Sequence, residues 1–294
     1  MGMRKKPSAE RLHQISARQD TPKWGSEYEP AIYATREEAP SISRAAQIYS
    51  DFLGRDLHAL SGVETEVLPF ALYHRDTVDV LEQKVLNPGP APHPLASHPL
   101  CVGQRFPSMR GTVFIAESLG LLKHHPKLRV NHPTNHDEVL TVPYPWIGDI
   151  LLVLGGRDSL YAVNWSIKST PEQFVDPNAL GVISRNYDES AQKLHARHLI
   201  EEIYYLDGGI RTVHITRADY SQKVAANLRQ LYLWHARATP FDGRTRQMVL
   251  DHFHAGLVSR HPPDLPGPRR SAGHLPAWFS PQPNPCDFRF WSSR

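Results

Sequence analysis

Asp149 and Lys168 stand near the two ends of one short stretch, Ile147 to Ser169, IGDILLVLGGRDSLYAVNWSIKS. An acid entering one strand and a lysine leaving its neighbour converge at one edge of a sheet. That arrangement suits holding a divalent metal against a phosphate, with the lysine placing water or offsetting charge. Side chains alternate along a strand, so Ser166 and Lys168 share one side and Ile167 points into the core. The Ile167 backbone carbonyl is then a further candidate ligand. Glu64, beside the apolar stripe of an earlier helix, offers a second carboxylate. Two carboxylates and a carbonyl supply oxygen ligands for a hard ion such as magnesium, and phosphodiester hydrolysis also needs a group that stabilises developing charge. Taken alone the pattern is common: a surface aspartate, a surface lysine and an ordinary hairpin leave the same string.

These residues must be positioned by elements the sequence also marks. The apolar run Ile150 to Leu154 reads as a buried strand, Gly155-Gly156 as a tight turn kept wet by Arg157-Asp158, and Leu160 onward as the return strand. Strict alternation fails there, which predicts a sheet covered on both faces. Residues 56–74 carry Leu57, Leu60, Val63, Val67 and Ala71 at helical spacing, with Ser61 and Glu64 as a capping box and Pro69 as a kink or early end. Thr77 to Leu81 reads as a strand that Glu82-Gln83 leaves. Residues 112–123 read as a short helix with Phe114, Ile115, Leu119 and Leu122 inward. Residues 187–206 form the clearest helix, stopped by Asp207-Gly208-Gly209. A strand over 210–215 and a helix through Val224, Leu228, Leu231 and Trp234 follow, and 240–259 adds one more helix. The order predicts an α/β fold, a mixed central sheet flanked by helices.

Other stretches read as irregular. Residues 1–27 are polar and basic, either a solvated tail or an arm that lies on a phosphate backbone. Residues 28–50 look like an irregular lead-in, and 87–107, with six prolines, like a surface excursion. Residues 124–146 are rich in histidine, but His132, His136, Asp137 and Glu138 lack the helical context of a zinc site. From Pro262 to Pro285 there are eight prolines, and Trp278, Phe279, Phe288, Phe290 and Trp291 give this tail residues to dock with.

Charge and cysteine usage narrow the classes. The formal charge of the 294 residues is +3 and the pI about 8.8, compatible with a nucleic-acid partner without requiring one. Cys101 and Cys286 lie far apart in proline-rich segments, which predicts free thiols in a reducing compartment. No apolar run approaches the roughly 20 residues of a membrane helix, and MGMRKK is followed by no apolar segment. The expectation is a cytoplasmic protein.

From Tyr28 to Tyr232 the chain resembles the TnsA family, the endonuclease subunit of heteromeric cut-and-paste DNA transposases. The matches run in order: Ile48-Tyr-Ser50, Gly54-Arg55, His58 to Glu64, Val78-Asp-Val-Leu-Glu-Gln83 against D-I-R-E-Q, Ile115-Ala116 with Gly120 and His125-Pro126, Gly148 to Val153 against T-D-F-L-V, Ala162 to Lys168 against a strand ending in Q-V-K, then Glu201 to Tyr205 and Val213 to Thr216. The resemblance implies a restriction-endonuclease-like core over 28–235, with the excursion 87–107 as an insertion. It implies metal binding by Glu64 and Asp149, catalysis assisted by Lys168, and Ser166 in the place of the family's glutamine. Serine reaches less far than an amide and holds fewer partners. The cofactor implied is Mg2+, with Mn2+ as substitute. The implied partners are double-stranded transposon-end DNA, cut at the 5′ strands of the element, an integrase-type transposase of the TnsB kind and an AAA+ ATPase of the TnsC kind. Residues 236–294, shorter and richer in proline than the family's helical second domain, become a docking arm. Two rival expectations are a structural subunit impaired in cleavage and a stand-alone restriction or repair nuclease of the same fold.

Overall fold

The computed structural model describes residues 7–40, 44–131, 139–156, 159–179, 181, 183–235 and 241–259, with the side chains of 253–259 left aside. In chain order its elements are α1 (Ala9–Gln19), β1 (Ala46–Ser50), β2 (Arg55–Ala59), α2 (Gly62–Tyr73), β3 (Thr77–Glu82), β4 (Val85–Leu86), α3 (Thr112–Ser118), β5 (Lys127–Asn131), β6 (Val139–Pro143), β7 (Trp146–Ile147), β8 (Ile150–Gly155), β9 (Leu160–Ile167), α4 (Tyr187–Asp207), β10 (Arg211–Ile215), α5 (Gln222–His235) and α6 (Gly243–Ser259). The first compact unit takes in residues up to Arg229; the second begins at Gln230, within α5, and holds α6. No described helix is long and apolar enough to cross a membrane.

The central sheet has the order β10-β9-β8-β3. β3, β8 and β9 form an antiparallel meander. The chain then crosses through α4 and returns β10 parallel to β9, as a parallel neighbour requires a helical crossover. β8 sits inside because Ile150 to Leu154 have no polar face: each is no more than 1 % exposed. One face packs Leu81, Leu151, Val153 and Ala162 against Ile115 of α3 and Ile200, Tyr204 and Tyr205 of α4. α2 lies beside β3, with Val63, Val67 and Ala71 buried at spacings of four. The mixed sheet flanked by helices is therefore present.

Several local expectations change. The helical pattern over 56–74 joins two elements: Leu57 belongs to β2, paired with Ile48 of β1, and the helix begins only after the Ser61 cap. Pro69 removes the backbone bond to the Thr65 carbonyl, yet α2 continues to Tyr73, because Pro69 is buried on its packed face. The N-terminal segment is not a free arm from Ala9 onward. Ser8 Oγ caps α1 by accepting from Arg11 N at 3.1 Å, Ile15 is buried, and Arg11 and Arg18 both engage Glu38. Arg4, Lys5 and Lys6 lie outside the described residues.

The lead-in and histidine-rich stretch also contain strands, β1 within the former and the antiparallel ribbon β5–β6 within the latter. His132, His136, Asp137 and Glu138 lie outside the described residues, as do Arg157, Asp158 and the C-terminal stretch with Cys286. The proline-rich excursion is anchored rather than superficial. Leu95 and Cys101 are no more than 1 % exposed and join the α4 core cluster, as does Met109 just beyond the excursion. Its turns close through Ala96 N–His93 O and Cys101 N–His98 O bonds, which proline density does not forbid. Gly111 starts α3 at φ 91°, where a Cβ would come within 2.4 Å of the Gly89 backbone. In α3, Ile115 and Ala116 face inward, whereas Phe114 and Leu119 are exposed.

Candidate active site

Glu64 owes its position to the start of α2. Ser61 Oγ accepts from Glu64 N at 3.1 Å, and Glu64 Oε2 reaches back to Leu60 N at 2.8 Å. This resembles a capping box displaced by one residue, and it ties the carboxylate to the helix N-terminus. Asp149 sits where β7 hands over to β8. There Gly148 N bonds the Lys84 carbonyl and the Asp149 carbonyl accepts from Gln83 N at 2.9 Å. Lys168 leaves β9 with its N–H on Ile215 O, so the ladder with β10 fixes its backbone.

These elements bring Asp149, Lys168 and the Ile167 backbone together. Asp149 Oδ2 accepts from Ile167 N at 2.6 Å and from Lys168 Nζ at 3.2 Å, while Lys168 Nζ also donates to Ile167 O at 2.8 Å. Asp149 and Glu64 both line a cavity of about 790 Å³ together with Leu60, Gln83, Trp146 and Arg197. Ile167, Ser166 and Lys168 are not among the residues on that wall. Ser166 is 1 % exposed, pairs in register with His214 of β10, and its Oγ finds no hydrogen-bond partner among the described residues. It shares its strand face with Asn164, whose amide donates to Glu201 on α4. Ser166 is thus packed behind the site without bonding to Glu64, Asp149 or Lys168.

Electrostatics connect the two acids. Burial, and then the Asp149 charge, raise the Glu64 carboxyl to about 7. Burial works against ionisation of Asp149 as well, but Lys168, Arg197 and the Ile167 N–H outweigh it and hold its carboxyl below the usual range. Near neutrality Glu64 is therefore about half protonated while Asp149 stays ionised. Among the described residues no group of three or more His, Cys, Asp or Glu side chains stands close enough to hold a metal. The set available is two carboxylates and a carbonyl. Its fit to a hard cation rests on two observations: the Lys168 ammonium already bridges Asp149 Oδ2 and Ile167 O, and the mutual repulsion of Glu64 and Asp149 is relieved by positive charge between them.

The linkage gives a test that needs no substrate. The folded Glu64 keeps a proton that the unfolded chain releases above about pH 4.5, so its contribution falls as pH rises from there and is fully lost above about 7. Glu64→Gln retains the cap and removes the charge. It is expected to melt above the parent at pH 8 in chelator, by about 1–3 kcal/mol, with the gap closing towards pH 5. A gap that does not change across that range contradicts the assignment.

Gln83 is a site residue that sequence reasoning passed over. Its Nε2 donates to Glu64 Oε2 at 3.0 Å, its N–H goes to the Asp149 carbonyl, and it has φ 55°, the one positive φ outside glycine among the described residues. A backbone outlier of this kind persists only where its surroundings hold it, and such outliers cluster at functional sites. Nothing local signals it beyond a glutamine leaving a strand. Arg197 is the other omission: it projects from α4 to the Ile147 carbonyl at 3.1 Å, and its place on the cavity wall and its charge near Asp149 mark it. No protein-family model and no curated protein matches the chain.

Proposed function

We propose that the chain is a metal-dependent DNA endonuclease with a restriction-endonuclease-like core, the TnsA-type subunit of a heteromeric transposase that cuts the 5′ strands at transposon ends. The observation that carries this reading is the cavity shared by Glu64 and Asp149, with Lys168 bonded to Asp149 and to the Ile167 carbonyl. The element order supports it: a helix bearing one acid, an antiparallel meander bearing the second acid and the lysine, then a helix and a parallel strand. So does the ordered set of short sequence matches.

In this reading Glu64, Asp149 and the Ile167 carbonyl hold a Mg2+ ion, for which Mn2+ substitutes. When bound, the ion supplies Lewis-acid polarisation of the phosphate and a water of lowered pKa. The chain's own groups do the rest. Gln83 fixes the Glu64 carboxylate. Lys168 exchanges its bond to Asp149 for the phosphate or the attacking water, placing positive charge where negative charge develops. Arg197 adds a guanidinium on the cavity wall, suited to a phosphate oxygen. End recognition falls to the TnsB-like transposase and regulation to the TnsC-like ATPase.

The buried Ser166 hydroxyl favours one rival, a structural subunit impaired in cleavage, because it offers the site no hydrogen bond where the family's glutamine would. Reconstitution decides between them. The chain, its partner subunits and a supercoiled plasmid carrying the element's ends are expected to yield 5′-strand nicks with Mg2+ and none in chelator. Joining by the transposase without any 5′-strand cut supports the structural subunit and removes the nuclease assignment.

A further inference from the structure

Lys168 has a third neighbour besides Asp149 and the Ile167 carbonyl. Its ammonium lies over the Phe174 ring, 5.5 Å from the centroid. The chain brings the ring there by doubling back. Beyond β9, Ser169 N donates to Gln173 Oε1 at 3.0 Å, and Pro171–Phe174 form a single 3₁₀ turn, entered through the fixed φ of proline. Phe174 is 9 % exposed. It stacks on His214 of β10, with centroids 4.1 Å apart and planes at 21°, and meets His198 of α4 at 5.1 Å. Strand and helix thus fix the ring independently of the lysine. Burial draws His198 down to about 3, so near neutrality its imidazole adds no charge that would repel the ammonium.

The other holds on Lys168 are bonds to oxygen. Its ammonium ends a flexible four-carbon stem, and it donates to Asp149 Oδ2 and to Ile167 O. In the reading above, Asp149 and the Ile167 carbonyl are also ligands of the ion, which weakens both bonds. A hard cation takes oxygen ligands and leaves a benzene ring alone. The ring face still attracts an ammonium within about 6 Å.

We propose that Phe174 is the positioning residue of Lys168: its ring face keeps the ammonium beside Asp149 when the two oxygens are engaged by the ion. The catalytic use of this contact rests on the nuclease reading, whereas the contact itself does not.

NMR of the full chain carrying isotope-labelled lysine, in chelator and again with Mg2+, tests it without substrate. The Lys168 signals are identified by their absence from Lys168→Met. Its ε-methylene protons are expected upfield of those of the other lysines in both conditions, because they lie over a ring face. They are expected to return to the common position in Phe174→Leu, which keeps an apolar side chain of similar size, and to stay upfield in Phe174→Tyr. In reconstituted cleavage, Phe174→Leu is expected to lower kcat about three- to thirtyfold with KM for DNA unchanged, and Phe174→Tyr to keep the parent's rate. The proposal is overturned if Lys168 is not shifted in the parent, if Phe174→Leu leaves it shifted, if Mg2+ abolishes the shift, or if the loss of cleavage falls on KM alone. A parent that cuts no DNA removes the nuclease reading, and the spectra then still decide whether the ring holds Lys168.

Discussion

Asp149→Ala is expected to lower strand cleavage by about 10²–10³-fold or more while leaving DNA affinity equal to or above the parent's. The first half follows from what converges on this carboxylate: Lys168 and the Ile167 N–H bond to one of its oxygens, and it shares a cavity with Glu64. Its loss removes a candidate ion ligand and the group that orients Lys168 in a single change. The second half follows from charge. Lys168 and Arg197 both act on Asp149, and without it two cations face the phosphate with less to neutralise them. Cleavage and binding measured on the same DNA separate the effects. Cleavage within tenfold of the parent removes Asp149 from the chemistry.

The largest expected effect on stability lies at Arg55. Its guanidinium meets both oxygens of Glu82, at 2.8 and 3.0 Å, and also donates to the Val80 carbonyl. The side chains are 6 % and 1 % exposed. Arg55→Met leaves a buried carboxylate without its cation, which costs about 3–5 kcal/mol, or about 6–20 °C in melting temperature for a chain of this size. Removing both charges is a different matter, because no unmatched charge remains. Arg55→Met/Glu82→Leu is expected to recover most of the loss, as thermal melts of the three proteins will show. If the single variant melts within a degree or two of the parent, the pair is not holding this end of β3. Glu82 precedes Gln83, so a loosened pair also loosens the residue that fixes Glu64.

Strong local periodicity made much of the sheet legible in the sequence. The unbroken apolar run at Ile150 announced β8, and α4 announced itself by length and by Gly208-Gly209. Elements held by distant partners were not legible. α1 buries few side chains, and its arginines are matched to Glu38 by a contact no local pattern contains. β2 was absorbed into α2 because Leu57 and Leu60 fall by chance at helical spacing from Val63. The proline-rich excursion hid its anchors, since Leu95 and Cys101 are single buried residues without a period. Within the site, the positions of Asp149 and Lys168 at strand ends could be read locally, whereas Glu64 was only one candidate acid on a helix, and the cavity that it lines with Asp149 joins the two. Gln83 was legible only as a residue leaving a strand and as the last position of one short match; its role could not be read, because both its backbone conformation and its bonds depend on residues far along the chain.

Asp149 is held at two points, by the turn after β3 and by the end of β9. Its main-chain oxygen takes the Gln83 N–H, and its carboxylate takes the Ile167 N–H. Two amide protons from segments distant in sequence therefore report on one residue, the first on its main chain and the second on its carboxylate. Their exchange with solvent is governed by how often this part of the sheet opens. A cation drawing the carboxylate away from Ile167 changes one amide and leaves the other as an internal reference. The site thus carries its own pair of spectroscopic reporters, readable in the isolated chain.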